Sequence, residues 1–137
     1  MAEHLISFEE ARNNLLSCAT FLAEDIGSAD GHSEAMKAIV PQYIENGNVD
    51  LAAELSDTVS DPFIRDRLLM LVAEKCAAID DDEYAFQLAD AIEEFGIQEA
   101  ARERIILQKS LKGDFDAALQ IAEGLTHKSD ALAITAL

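Results

Sequence analysis

The chain has 137 residues, half of them hydrophobic, enough to bury a core as one domain and too few for two domains of ordinary size. Ten Lys and Arg against 27 Asp and Glu leave a formal charge of −17, which speaks against nucleic acid and anionic membranes as direct ligands, because both must be neutralised by basic side chains. Two prolines, six glycines and no tryptophan in a background of Ala, Leu, Ile, Glu and Asp give helical chemistry throughout. Met1 to Phe8 carry neither a basic start nor an apolar run of signal-peptide length, and no stretch approaches the roughly 18 apolar residues of a membrane span. A soluble cytoplasmic protein is expected, with Cys18 and Cys76 as reduced core thiols.

In chain order, Ser7 with Glu10 forms a capping box, so a first helix begins near Phe8 and should bury Ala11, Leu15, Cys18, Ala19, Leu22 and Ile26, spaced by threes and fours. Gly27 to Gly31 end it. A second helix runs from about His32 to Glu45 with Ala35, Ala38, Ile39 and Tyr43 inward, and Pro41 should kink it. After Asn46, Gly47 and Asn48 comes a helix with Leu51, Ala52, Leu55 and Val59 on its core face. Ser60-Asp61-Pro62 is the clearest boundary, since Asp suits the N-cap and Pro the first helical position. The fourth helix runs from Pro62 to about Ala78 through Ile64, Leu68, Leu71, Val72 and Cys76. The acids Asp80 to Glu83 suit the start of a fifth, which buries Ala85, Leu88, Ala89 and Ile92 and is closed by Gly96. A sixth spans about Gln98 to Lys112, with Lys109 and Lys112 at its negative end. Gly113 and Asp114 lead into a seventh through Ala117, Ala118, Ile121, Ala122 and Leu125, and a short last helix runs from about Lys128 to Leu137. The apolar runs lie inside longer helical patterns and give no strand signal.

Self-similarity has a period of 33 residues. Ala52, Leu55, Ser56 and Val59 align without gaps on Ala85, Leu88, Ala89 and Ile92 and on Ala118, Ile121, Ala122 and Leu125, and Ala19, Leu22, Ala23 and Ile26 fall one period earlier. The breaks Gly47, Asp80 and Gly113 recur in phase. The fold class expected is all-α: one domain over 1–137, of about four antiparallel helix hairpins (8–46, 48–79, 81–112 and 114–137) stacked as a short α-solenoid or right-handed superhelical array.

Lys112-Gly113-Asp114-Phe115-Asp116-Ala117-Ala118-Leu119-Gln120-Ile121-Ala122 resembles the helix-turn-helix junction of a tetratricopeptide repeat, with Gly at the turn and a small residue five positions later. Gly47 with Ala52 matches the same two positions, and Asp80 with Ala85 keeps the second. The Trp, Leu-Gly and Tyr of that family's first helix are absent. The resemblance, over residues 32 to 126, implies a scaffold whose concave face binds a peptide or partner helix. The positions that match its groove residues are Lys37, Arg67, Met70, Glu74, Glu103 and Leu107.

Residues for chemistry are sparse. His4, His32 and His127 have no second His or Cys at metal-ligand spacing, and a calcium loop placed on Gly31 would need acids where Ile26 and Lys37 stand, so neither a metal nor a cofactor is expected. No activated Ser or Cys and no phosphate-cradling glycine loop is present, so an enzyme is not expected. Arg65, Arg67, Arg102 and Arg104 would stack into a positive strip that forks a partner carboxylate, or be absorbed in ion pairs with Asp57, Asp61, Asp66 or Glu103. The apolar end Ala131 to Leu137 would offer Leu132, Ile134 and Leu137 to a second copy as a homodimer contact, or to another partner. The function expected is a non-catalytic protein-protein interaction module; the alternative is an acidic mimic of nucleic acid that inhibits a basic protein.

Overall fold

The computed structural model describes residues 4–113 together with Asp116 and Leu119. Its elements are α1 (Phe8–Asn13), α2 (Leu15–Glu24), α3 (Ala29–Glu45), α4 (Val49–Asp57), α5 (Pro62–Ala78), α6 (Asp82–Ala91) and α7 (Phe95–Leu111). The described residues are all-helical, with no strand among them. The chain divides into two compact units, Met1–Leu68 and Leu69–Leu137, the division falling within α5. The expected helix containing Ala117 to Leu125, and the last one with Leu132, Ile134 and Leu137, lie outside the described residues apart from Leu119.

Helix boundaries follow from local chemistry that recurs. The helices α3, α5 and α7 each have 17 residues and begin at 29, 62 and 95. An oxygen-bearing side chain precedes each one and accepts from the first turn. Ser28 Oγ accepts from Gly31 N at 3.0 Å, Asp61 Oδ1 from Phe63 N at 2.9 Å and Ile64 N at 3.1 Å, and Glu94 Oε2 from Ile97 N at 2.7 Å. Each cap satisfies amides that have no intrahelical acceptor. Gly31 and Gly96 therefore sit in the first turns of α3 and α7, and neither terminates the helix before it. Both long helices start about three residues earlier than apolar spacing places them.

The same three helices end alike. Gly47, Asp80 and Gly113 have φ of 81°, 67° and 83°, the left-handed region. Gly47 N donates to Ile44 O at 3.0 Å and Asn48 N to Tyr43 O at 2.9 Å; Asp80 N donates to Ala77 O at 3.2 Å and Asp81 N to Cys76 O at 2.8 Å. This is the Schellman closure, which uses a left-handed residue to fold two amides back onto orphan carbonyls. Gly113 N donates to Ser110 O at 3.0 Å in the same way. Two of the three positions hold the residue without a Cβ, and the third holds Asp, one of the few side chains that tolerates the conformation.

In the first unit, α1 packs on α2, α2 on α3 and α3 on α4. Ser7 Oγ accepts from Glu10 N and donates to Glu10 Oε1, both at 3.1 Å, so the capping box forms. The helix it starts lasts only to Asn13. Asn14 is extended (φ −152°, ψ 158°) and its Oδ1 accepts from Ser17 N at 2.7 Å, capping a new helix. That restart overturns the expected core face. In α2 the buried residues are Ser17, Thr20 and Ala23; Leu15 and Leu22 stand 89% and 62% exposed, Ile26 and Ala19 are exposed, and Ala11 and Cys18 are half-buried. Small residues on the buried side bring α2 close to α3, and their polarity is accommodated. Thr20 Oγ1 donates to Leu16 O at 2.8 Å and meets Tyr43 Oη at 2.9 Å, the tyrosine then being the donor. The face of α3 is likewise rotated: Ser33, Met36, Ile39, Val40 and Tyr43 are buried, Ala35 is half-buried and Ala38 is exposed. The helix continues through Pro41 to Glu45. In α4, Ala52, Leu55, Ser56 and the following Val59 are buried, whereas Leu51 is half-buried. Ser56 Oγ donates to Ala52 O at 2.7 Å, which permits a hydroxyl in the core.

In the second unit α6 packs on α7, and Ala85, Leu88, Ala89 and Ile92 are buried as their spacing predicts. Gln98 Nε2 reaches from α7 to Ala89 O and Ile92 O, each at 3.3 Å, and so caps the end of α6. Val72, Ala73, Cys76 and Ala77 of α5 are fully enclosed, whereas Ile64 and Leu71 are half-buried.

Replacing Gly47 by Ala should cost about 1–2 kcal/mol, the penalty for a Cβ in the left-handed region. Gly27→Ala, where no atom lies within 4 Å of an added Cβ, should stay within about 0.5 kcal/mol of the parent. Urea denaturation of both variants checks this; equal losses would contradict it.

Candidate functional site

The six residues matched to groove positions fall on the long helices: Lys37 on α3, Arg67, Met70 and Glu74 on α5, Glu103 and Leu107 on α7. Lys37, Met70 and Glu103 share one register position, 33 residues apart, but not one environment. Lys37 is exposed with its Nζ 3.5 Å from Glu34 Oε1, Met70 is buried, and Glu103 is half-buried. Met70 is thus a core side chain and not a surface contact. The reason is local composition: α5 is apolar on several sides, so its unbranched thioether fills core space. Glu74 is half-buried and held by Arg104 Nη1 at 3.0 Å and Gln108 Nε2 at 3.5 Å. Leu107 is at the margin of exposure.

The arginines mostly serve acids within the fold. Arg65 Nη2 lies 3.2 Å from the buried Asp66 Oδ1, and Arg102 Nη2 lies 2.8 Å from Asp90 Oδ1 with Glu99 further off at 3.8 Å. Arg104 holds Glu74. Arg67 differs. Its side chain is exposed, and its guanidinium carbon sits 5.6 Å from the centre of the Phe63 ring, itself more than half exposed. Among the described residues Arg67 has this ring, and no acid, as its partner. A stacked guanidinium spends its face on the ring and keeps its N–H edge for a planar acceptor. In the first unit, an open hollow of about 330 Å³ also lies at the start of α3, between Glu24, Ile26, His32 and Thr58.

The strongest charge cluster was not foreseen as a unit. Lys109 is 3% exposed, yet its Nζ lies 3.3 Å from Asp80 Oδ1 and 2.5 Å from Asp82 Oδ1, and Lys112 Nζ is 2.7 Å from Asp80 Oδ1. The last turn of α7 thereby grips the left-handed turn between α5 and α6. Lys109 buries its aliphatic stem while its ammonium finds acids at the rim. Its pKa is raised from 10.5 chiefly by the hydrogen bond to Asp82, against the opposing effect of burial and with Asp80 adding to the rise. The pKa of Asp80 is lowered from 3.8, first by Lys112 and then by Lys109. The sequence signal was there: an acid at the register position that holds glycine in the copies on either side, and two lysines three residues apart.

Among the described residues no group of three or more His, Cys, Asp or Glu is arranged to hold a metal ion, and no helix is long and apolar enough to cross a membrane. Both cysteines are free thiols, Cys76 buried and Cys18 half-buried. Searches of protein-family models, curated proteins and solved structures return no match to this chain.

The lowered Asp80 contributes stability that is complete above its ordinary value and lost as pH falls through the depressed one. The raised Lys109 contributes below 10.5 and loses that contribution as pH rises through its elevated value. Lys109→Met, which keeps the buried stem, should therefore lower stability by about 1–3 kcal/mol at neutral pH, the worth of hydrogen bonds to charged groups. Thermal melts from pH 2 to 8 check it: the gap between parent and variant should narrow below about pH 3, and a pH-independent gap would contradict the assignment.

Proposed function

We propose that this chain is a non-catalytic protein-interaction module, a tetratricopeptide-like array of 33-residue helix pairs that binds a peptide or a partner helix on the exposed sides of its long helices. The observation that carries the reading is the common timing of its boundaries: caps at Ser28, Asp61 and Glu94, helix starts at 29, 62 and 95, and left-handed residues at 47, 80 and 113. A repeated unit fixes its core and turns and leaves its outward positions free to differ, which is what Lys37, Met70 and Glu103 do at one register position.

Arg67 with Phe63 is the recognition element this reading favours. An exposed guanidinium stacked on a ring offers two parallel donors to a carboxylate, and the ring offers apolar area beside it. The chain's charge of −17 repels acidic ligands at long range. The ligand that suits both facts is a peptide with one acidic residue in an otherwise apolar or basic context.

A displayed random-peptide library selected on the immobilised chain tests this. Selected peptides should carry such a residue, and Arg67→Glu should weaken them about tenfold or more, roughly 1.4 kcal/mol, with an unchanged circular dichroism spectrum. Selection of purely basic peptides whose binding collapses with salt and ignores Arg67 would favour the acidic-mimic reading instead.

A further inference from the structure

The register makes one surface anomalous. Ala52, Leu55, Ser56 and Val59 are buried, the least enclosed of them only 2% exposed, and so are their equivalents Ala85, Leu88, Ala89 and Ile92. One period earlier stand Ala19, Leu22, Ala23 and Ile26, and here only Ala23 is buried. With Leu15, the positions Ala19, Leu22 and Ile26 follow at four, seven and eleven residues, which is one face of α2. The side chains suited to a core are present and the surface that would cover them is not among the described residues.

What covers the equivalent stripe is visible in the first unit, where α4 packs on the long helix that precedes it, α3. The element that precedes α2 is α1, six residues with none buried. The stripe on α2 therefore has the chemistry to accept a helix of the long-helix register. Residues 128–137 stand in that register, 33 residues beyond the start of α7 at 95. The sequence from Ala131 to Leu137 contains no Asp, Glu, Lys or Arg, and neither does the stretch from Asn13 to Ala23. In a chain of charge −17 these are two segments that can meet without opposing like charges.

We propose that residues 128–137 of one copy dock on the Leu15, Leu22 and Ile26 face of α2 in a second copy. This rests on the repeat reading above. The two surfaces differ, so the contact is heterologous and head-to-tail, and it extends into a ladder of oligomers that grows with concentration. It buries apolar groups between molecules that repel one another, so salt strengthens it.

Sedimentation velocity of the full chain over a range of concentrations tests the proposal, with Leu22→Glu and Ile134→Glu as variants. The parent should form a concentration-dependent ladder, shifted to larger species by salt, and each variant alone should be monomeric. An equimolar mixture of the two variants should form a dimer and nothing larger, because each retains one intact surface. Circular dichroism checks that Leu22→Glu, at a 62% exposed position, stays folded. A monomeric parent, self-association of Ile134→Glu equal to the parent's, or no dimer from mixed folded variants would overturn it. Peptide binding measured on Leu22→Glu separates this from the adaptor reading: retained Arg67-dependent binding leaves that reading standing when the ladder fails.

Discussion

Every long helix in this chain must stop where its last carbonyls can be satisfied, and a residue in the left-handed conformation provides that stop. Gly47, Asp80 and Gly113 each turn the backbone so that the following amides return to the helix end. The caps Ser28, Asp61 and Glu94 do the corresponding work at the starts. Between cap and turn the length is constant at 17 residues, so the apolar positions of each long helix meet its neighbours at the same phase. Core composition then varies within that frame, from Met36 and Val40 on α3 to Ile105 and Ile106 on α7.

At Asp80 the constraint is joined to electrostatics. A side chain that tolerates the left-handed conformation less well than glycine is held there by Lys109 and Lys112, reaching from the far end of α7. Where glycine closes a helix for conformational reasons alone, this turn is closed by a residue that also ties two helices together. The acids that give the chain its charge are thus of two kinds. Some, such as Asp66, Glu74 and Asp80, are engaged by cations within their own unit, and others, such as Asp50, Glu54 and Asp57 of α4, stand exposed on the helix exterior. Against that background an exposed arginine stacked on an exposed ring is the natural place for a partner's carboxylate.

Much of the fold was legible because its signals are local. The Ser7–Glu10 box, the Asp61–Pro62 start, the breaks at 47, 80 and 113 and the core of α6 all follow from residue types acting within one turn. Two glycines misled because glycine marks turns by habit, whereas Ser28 and Glu94 place Gly31 and Gly96 inside first turns. The face of α2 was misread for a tertiary reason. Leu15, Leu22 and Ile26 have the spacing of a core stripe, but Asn14 restarts the helix and Ser17 and Thr20 take the buried side with their polar groups satisfied. Hydrophobicity alone cannot separate a stripe packed in its own fold from one left for another surface. Met70 failed similarly: a family register places it in a groove, while the apolar surroundings on α5 draw it into the core.

The account depends most on Asp80 adopting the glycine conformation, since there the period is maintained against side-chain preference. Solution NMR reads this directly from the intraresidue amide to α-proton cross-relaxation and three-bond coupling of Asp80. A positive φ there, with chemical-shift boundaries that end α5 at Ala78 and start α6 at Asp82, is the predicted result. A helical or extended Asp80, with α5 and α6 continuous or shifted in phase, would contradict the claim that one punctuation governs all three long helices.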